Sequence, residues 1–262
     1  MPARVLLCSL DGVRPDAILA CHTPTIQRLA REGAHTWSAS SVMPSVTLPC
    51  HTSMLRGVDV PRHGITSNTF TPLARPVPSV MDAAANHGKR VGFFYNWEQL
   101  RDLAAPGSLI VSVCFGEGHV FETDQKVADA AIMALKSDVL DFVFVYFGHP
   151  DEAGHAHGWM SEPYLKAIEN ADACLAQVLE HWDGIVCVVS DHGGHGRSHG
   201  TDCAEDMTIP FVLHGPGVVA GRELTEPIFL YDVCPTLAHA LGIPACREWD
   251  GRVVLEAFEE ER

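Results

Sequence analysis

The chain has 262 residues, 47% of them hydrophobic and 19% charged, which is enough apolar material for one large core. Lys and Arg total 18 against 33 Asp and Glu, a net charge of −15 that repels polyanions and argues against a nucleic-acid duplex as partner. No apolar run approaches the roughly 20 residues that span a bilayer, and the first meets Asp11 too early for a signal peptide. Nine scattered cysteines with no C-x-x-C pair fit reduced thiols, so a soluble cytoplasmic protein without a membrane partner is expected. In chain order, Val5–Leu10 reads as a strand, 25–31 as a helix closed by Gly33, Val80–Asn86 as a helix closed by Gly88, and Val91–Tyr95 as a strand. Next come a helix over 123–135, a strand over Phe142–Phe147, a helix over 164–181, strands over 185–189 and 210–213, and a helix over 231–241 closed by Gly242. The unbroken Val, Ile and Phe runs suit strands buried on both faces, and a glycine just past a helix suits a left-handed cap. Alternating strands and helices predict an α/β fold, a doubly wound and mostly parallel sheet sandwiched by helices. No repeat or linker divides the chain, so 1–262 is read as a single catalytic domain.

In an open α/β sheet, ligands bind beyond the carboxyl ends of the strands, and here those ends carry Asp and His repeatedly. Asp11 follows the first strand; His149, Asp151 and His155 follow Phe142–Phe147; Asp191, His192, His195 and His199 follow 185–189. Each segment alone fits a turn or a solvated loop, but three coincident strand ends fit two divalent metal ions. Mixed carboxylate and imidazole donors favour zinc, with manganese or iron as alternatives. A nucleophile candidate is Thr47, which precedes a helix-like stretch with Pro49 in its first turn, where the helix N-terminus favours a developing alkoxide. The same residue could equally be a plain N-cap threonine.

These residues resemble the alkaline phosphatase superfamily and, within it, the nucleotide pyrophosphatase/phosphodiesterase family. The resemblance rests on Leu10-Asp11-Gly12, the run from Pro44 to Gly57, His63-Gly64-Ile65 with Asn68, Pro150-Asp151 with Gly154-His155, Ser190-Asp191-His192-Gly193, and a closing segment from Asp232 to Gly251. It implies one metal held by Asp11, Asp191 and His192 beside the Thr47 oxygen, and a second held by Asp151, His155 and His199. His195 and His214 compete with His199 for the last position. The resemblance further implies that Asn68 donates to a nonbridging phosphate oxygen, with a backbone N–H from the Thr47 and Leu48 region beside it. Sulfatases carry their formylglycine precursor at the Thr47 position and an arginine two residues after the proline; His51 occupies that position here, which argues against sulfate ester chemistry.

The activity so implied is hydrolysis of a phosphodiester or nucleotide pyrophosphate bond in a small phosphorylated substrate through a phosphothreonine intermediate. A phosphomonoesterase, a phosphonoacetate-type hydrolase and a phosphotransferase or mutase are the alternatives, and a noncatalytic metal-binding module is the least favoured. Trp97, and less so Tyr95, could offer an aromatic face to a base or aryl group.

Overall fold

In the computed structural model, which describes residues 4–116, 121–137 and 139–259, the apolar runs become the centre of one sheet. Its strands are β1 (Val5–Leu10), β2 (Ala34–Ser40), β3 (Val91–Tyr95), β4 (Val111–Cys114), β5 (Phe142–Phe147), β6 (Ile185–Ser190), β7 (Thr208–His214) and β8 (Arg222–Glu223). Helices α1 (Pro15–Ala20), α2 (Pro24–Glu32), α3 (Thr47–Arg56), α4 (Val60–His63) and α5 (Val80–Asn86) occupy the first half. The rest are α6 (Phe121–Leu135), α7 (His149–His157), α8 (Glu162–Leu179), α9 (Ala204–Met207) and α10 (Val233–Ala240). The sheet order is β4-β3-β5-β1-β6-β7-β2-β8. All the pairings are parallel except those of β7, which runs antiparallel to both β6 and β2.

Both faces of the sheet are covered, which is why its central strands need no polar alternation. Val5 and Leu7 of β1 join a cluster with Met54 and Leu55 of α3, Met81 of α5 and Leu237 of α10. Leu6, Cys8 and Leu10 point the other way, into Ile18 of α1, Leu29 of α2, Val127 of α6 and Leu175 of α8. The alternation therefore separates two apolar layers, and every residue of β1, β5 and β6 is buried.

The structure corrects several expectations. Gly33 is not a left-handed cap: its φ is −120°, and a Cβ there would lie 2.2 Å from the Leu213 carbonyl oxygen, so glycine permits the close approach of α2 to β7. The predicted helix over 231–241 opens as a 3-10 turn over Leu230–Asp232 before α10 begins. Thr47 is the first residue of α3, and Val46 holds the cap position. Strands β2, β4 and β8 and helix α7 were not anticipated. All nine cysteines are free thiols, and among the described residues no helix is long and apolar enough to cross a membrane.

Candidate active site

Strand register brings the chemistry together. Leu10 pairs with Phe147 on one side and Ser190 on the other, so the chain leaves β1, β5 and β6 at one edge. Asp11 follows immediately, its N–H bonded to the Phe147 carbonyl at 3.1 Å. Gly12 turns the chain with φ +65° and donates its N–H to Asp191 Oδ1 at 3.1 Å. Trp159 Nε1 and the Tyr164 hydroxyl both donate to the Gly12 carbonyl, at 2.8 and 2.9 Å, and the Tyr146 hydroxyl donates to Asp11 Oδ2. A Cβ on Gly12 would meet Asp151 Oδ1 at 2.9 Å in a conformation that L-residues avoid. Gly12→Ala is therefore expected to displace Asp151 and weaken metal binding about 10–100-fold, as loss of a supporting contact does; equilibrium dialysis with zinc checks this.

Asp151 and His155 stand one helical turn apart on α7, with His155 Nε2 3.4 Å from Asp151 Oδ2. The start of that helix is braced from α6: Asp124 Oδ1 accepts Gly148 N–H at 3.2 Å, His149 N–H at 3.4 Å and Asn96 Nδ2 at 2.7 Å. His199 Nε2 lies 3.6 Å from Asp151 Oδ1, and His192 Nε2 lies 3.4 Å from Asp11 Oδ1 and 3.3 Å from Asp191 Oδ2. The His192 and His199 rings stack at 3.9 Å, and Thr47 Oγ1 is 3.3 Å from His192 Nε2.

The imidazoles are oriented alike. Nδ1 of His155, His192 and His199 meets the backbone carbonyl of Arg197, Gly193 and Ser45 at 3.0, 2.8 and 2.8 Å. A carbonyl only accepts, so each Nδ1 carries the proton and each Nε2 presents a lone pair to the site. Opposite them, Asp11 Oδ1, Asp151 Oδ1 and Asp191 Oδ2 are buried and have no hydrogen-bond partner. Burial, then Asp191 and Asp151, pushes the Asp11 carboxyl well above the usual carboxylate range, and burial pushes Asp151 up to about 6. Burial and the neighbouring His192 lower His199 to about 4, so it is neutral at pH 7 and cannot neutralise these acids as a cation.

Buried carboxylates without cations, facing imidazole lone pairs, fit divalent metal ions. Ligand atoms of Asp151, His155 and His199 lie within 4.8 Å of one another, as do those of Asp11, Asp151 and His192. Asp151 thus stands in both groups, whereas the sequence placed it in one; Asp191 reaches the second group through its 3.3 Å approach to His192. His214 does not join them: β7 runs antiparallel, so its end pairs with Val186 at the opposite edge of the sheet. His195 turns instead to Asp206, at 2.7 Å.

These residues open onto a cavity of about 150 Å3 lined by Asp11, Thr47, Asn68, Trp97, Tyr146, Gly148, Asp151, Glu152, His155 and His199. Leu48 departs from its expected role, because its N–H donates to Asn68 Oδ1 at 3.0 Å instead of facing the cavity. At this helix start Val46 N–H bonds the Pro44 carbonyl and Pro49 has no N–H, and among the described residues the Thr47 N–H has no partner. Trp97 lines the cavity, whereas Tyr95 is buried against Phe93. Among the described residues no lysine or arginine lines it: Arg56 is spent on the carbonyls of Val77 and Leu103, and Arg62 pairs with Asp250. His51 is a core residue, bonded to Ser9 Oγ and the Thr47 carbonyl, both at 2.8 Å. Tyr146, Gly148 and Glu152 were missed by the sequence reading, although Tyr146 and Gly148 flank a strand end where ligands gather.

Comparison with known proteins bears on the family and the fold. Residues 82–245 match the Metalloenzyme superfamily, and residues 5–99 match type I phosphodiesterase / nucleotide pyrophosphatase. A 2,3-bisphosphoglycerate-independent phosphoglycerate mutase of Staphylococcus aureus is 32% identical over 136 residues, 50% of this chain and 26% of the mutase. The match therefore spans about a quarter of the length of such curated relatives. Among solved structures, an inactive murine ectonucleotide pyrophosphatase/phosphodiesterase 5 in complex with AMP superposes with a TM-score of 0.83 at 17% identity, covering 98% of this chain and 100% of that one. The phosphonate monoester hydrolase of Agrobacterium radiobacter gives 0.78 at 18% identity, covering 99% and 78%. A 2-O glycosaminoglycan sulfatase gives 0.75 at 16% identity, covering 100% and 76%, so the fold is shared across different ester chemistries.

Proposed function

This chain belongs to the Metalloenzyme superfamily of alkaline-phosphatase-like enzymes, and on that footing we propose that it is a two-metal hydrolase of phosphodiester or nucleotide pyrophosphate bonds. The observation that carries this reading is the convergence of three unpartnered carboxylate oxygens and three imidazole Nε2 atoms beside the Thr47 hydroxyl. Asp151, His155 and His199 would hold one ion and Asp11, Asp191 and His192 the other, with Asp151 near enough to serve both; the donor set favours zinc over manganese or iron. Bound there, the ions supply positive charge for the attacking and departing oxygens.

Thr47 Oγ1 gives its proton to solvent and attacks phosphorus, and the bond to the leaving group breaks as the Oγ1–P bond forms, giving a phosphothreonine and a departing oxygen that takes up a proton from solvent. Water then breaks the Oγ1–P bond and restores Thr47. The Leu48 N–H fixes Asn68 through Oδ1, so the Asn68 amide Nδ2 is left to donate to a nonbridging oxygen. Asn68→Ala is expected to lower kcat about a hundredfold, as removal of one such donor does, with metal content unchanged; steady-state kinetics beside metal analysis checks both parts.

A singly charged diester suits a cavity that, among the described residues, offers no lysine or arginine, whereas a doubly charged monoester would find neither side chain there. With metal-replete protein, an aryl phosphodiester is expected to turn over faster than the aryl monoester; a monoester that is far faster overturns the diesterase assignment. The similarity to a phosphoglycerate mutase favours a second reading, return of the phosphoryl group to an alcohol. Product analysis with a competing alcohol separates the two, since hydrolysis outrunning transfer supports the first.

A further inference from the structure

We infer that His195, Cys203 and Asp206 form a further metal site, which takes a thiophilic divalent ion such as zinc and ties together the loop that carries His199. The three residues share none of the donors around Thr47. They lie on the connection between β6 and β7, whose two arms are already zipped by Gly193 N–H to the Asp206 carbonyl at 2.8 Å and Gly194 N–H to the Glu205 carbonyl at 2.9 Å.

Within this loop the donors converge. Asp206 is fully buried, and its Oδ2 is held by the Thr201 N–H at 2.9 Å and the Thr201 hydroxyl at 2.7 Å. Its Oδ1 is thereby turned to His195 Nδ1, 2.7 Å away, and Cys203 Sγ lies 3.5 Å from the same nitrogen. One nitrogen, one sulfur and one oxygen thus sit within 4.8 Å of one another. A thiolate, an imidazole and a carboxylate form a three-ligand set with a fourth position open to water, and the sulfur selects zinc-like ions over magnesium or calcium. The His195 side chain is 46% exposed, which leaves an entry path for the ion.

Binding conserves protons simply. The Cys203 thiol proton leaves to solvent, and the His195 proton moves from Nδ1 to the exposed Nε2 as Nδ1 turns its lone pair to the ion. His199 lies four residues after His195 and four before Cys203, so an ion here fixes both flanks of a residue whose Nε2 faces the catalytic cavity.

The test is titration of the metal-free, fully reduced protein with cobalt(II) alone. A thiolate-to-cobalt charge-transfer band is expected in the wild type and in Thr47→Ala, and it is expected to vanish in both Cys203→Ser and His195→Ala. After zinc saturation and desalting, each of these two variants should retain one ion fewer per chain than the wild type. His195→Ala alters an exposed side chain and is read in the same way, so a folding defect in Cys203→Ser does not remove the test. A wild type with no such band, a band that persists in the variants, or equal zinc content in all three proteins overturns the assignment.

Discussion

Thr47→Ala is expected to reduce turnover about a thousandfold or more, the loss that follows removal of a covalent nucleophile, while the bound metal content stays at the wild-type level. The two outcomes are separable because Thr47 supplies a hydroxyl 3.3 Å from His192 Nε2, whereas the carboxylates and imidazoles that would hold the ions come from the turn after β1, from α7 and from the loop after β6. Thr47→Ser keeps the oxygen at the same backbone position and should retain a substantial share of the rate. Kinetics on the three proteins, with metal content measured on the same samples, checks the prediction. Unchanged turnover in Thr47→Ala would remove the covalent step and leave the ligand geometry untouched.

Chelation is expected to bring activity to background, and acid is expected to do the same by protonating Asp151 before His199. Burial holds Asp151 at about 6, and Asp11 is pushed well above the usual carboxylate range. His199 is instead lowered to about 4, so it remains a neutral donor after Asp151 has taken up its proton. The sign follows directly: a raised carboxyl pKa keeps the protonated, nonligating form present to higher pH, so metal affinity increases as pH rises through about 6 and is lost as pH falls through it. For each such carboxylate the apparent affinity should fall about tenfold per pH unit in the acid limb. Titrations with zinc between pH 5 and 8 measure this slope, and affinity that stays flat down to pH 5 would contradict it.

Much of the fold was legible because the central strands are almost wholly apolar and carry no charge. Val5–Leu10, Val91–Tyr95 and Phe142–Phe147 were placed at their true ends, since burial on both faces leaves no charged residue to blur the pattern. Strand β2, AHTWSAS, was missed because it carries small and polar residues, is partly exposed and shifts register between Thr36 and Ala39. Helix α7, HPDEAGHAH, has almost no apolar periodicity, because the residues that would mark a core face have been replaced by the functional ones.

The site divides in the same way. Asp11, Asp151 and Asp191 could be singled out because each stands just past a strand, and strand ends collect on one edge of a parallel sheet. Contacts made across the fold leave no local trace: Asp124 bracing the start of α7, Trp159 and Tyr164 holding the Gly12 carbonyl, and Leu48 N–H fixing Asn68 each join segments far apart in sequence. The same limit explains why His195 could compete with His199 on spacing alone. Only the turn of the loop sends one to Asp206 and the other to Asp151.

The stereochemical course at phosphorus tests the central claim most directly. Hydrolysis of a phosphodiester made chiral at phosphorus by isotopic oxygen or sulfur should proceed with net retention, because two in-line displacements, first by Thr47 and then by water, each invert the centre. Net inversion would mean that water attacks the substrate itself, and the threonine intermediate would have to be abandoned.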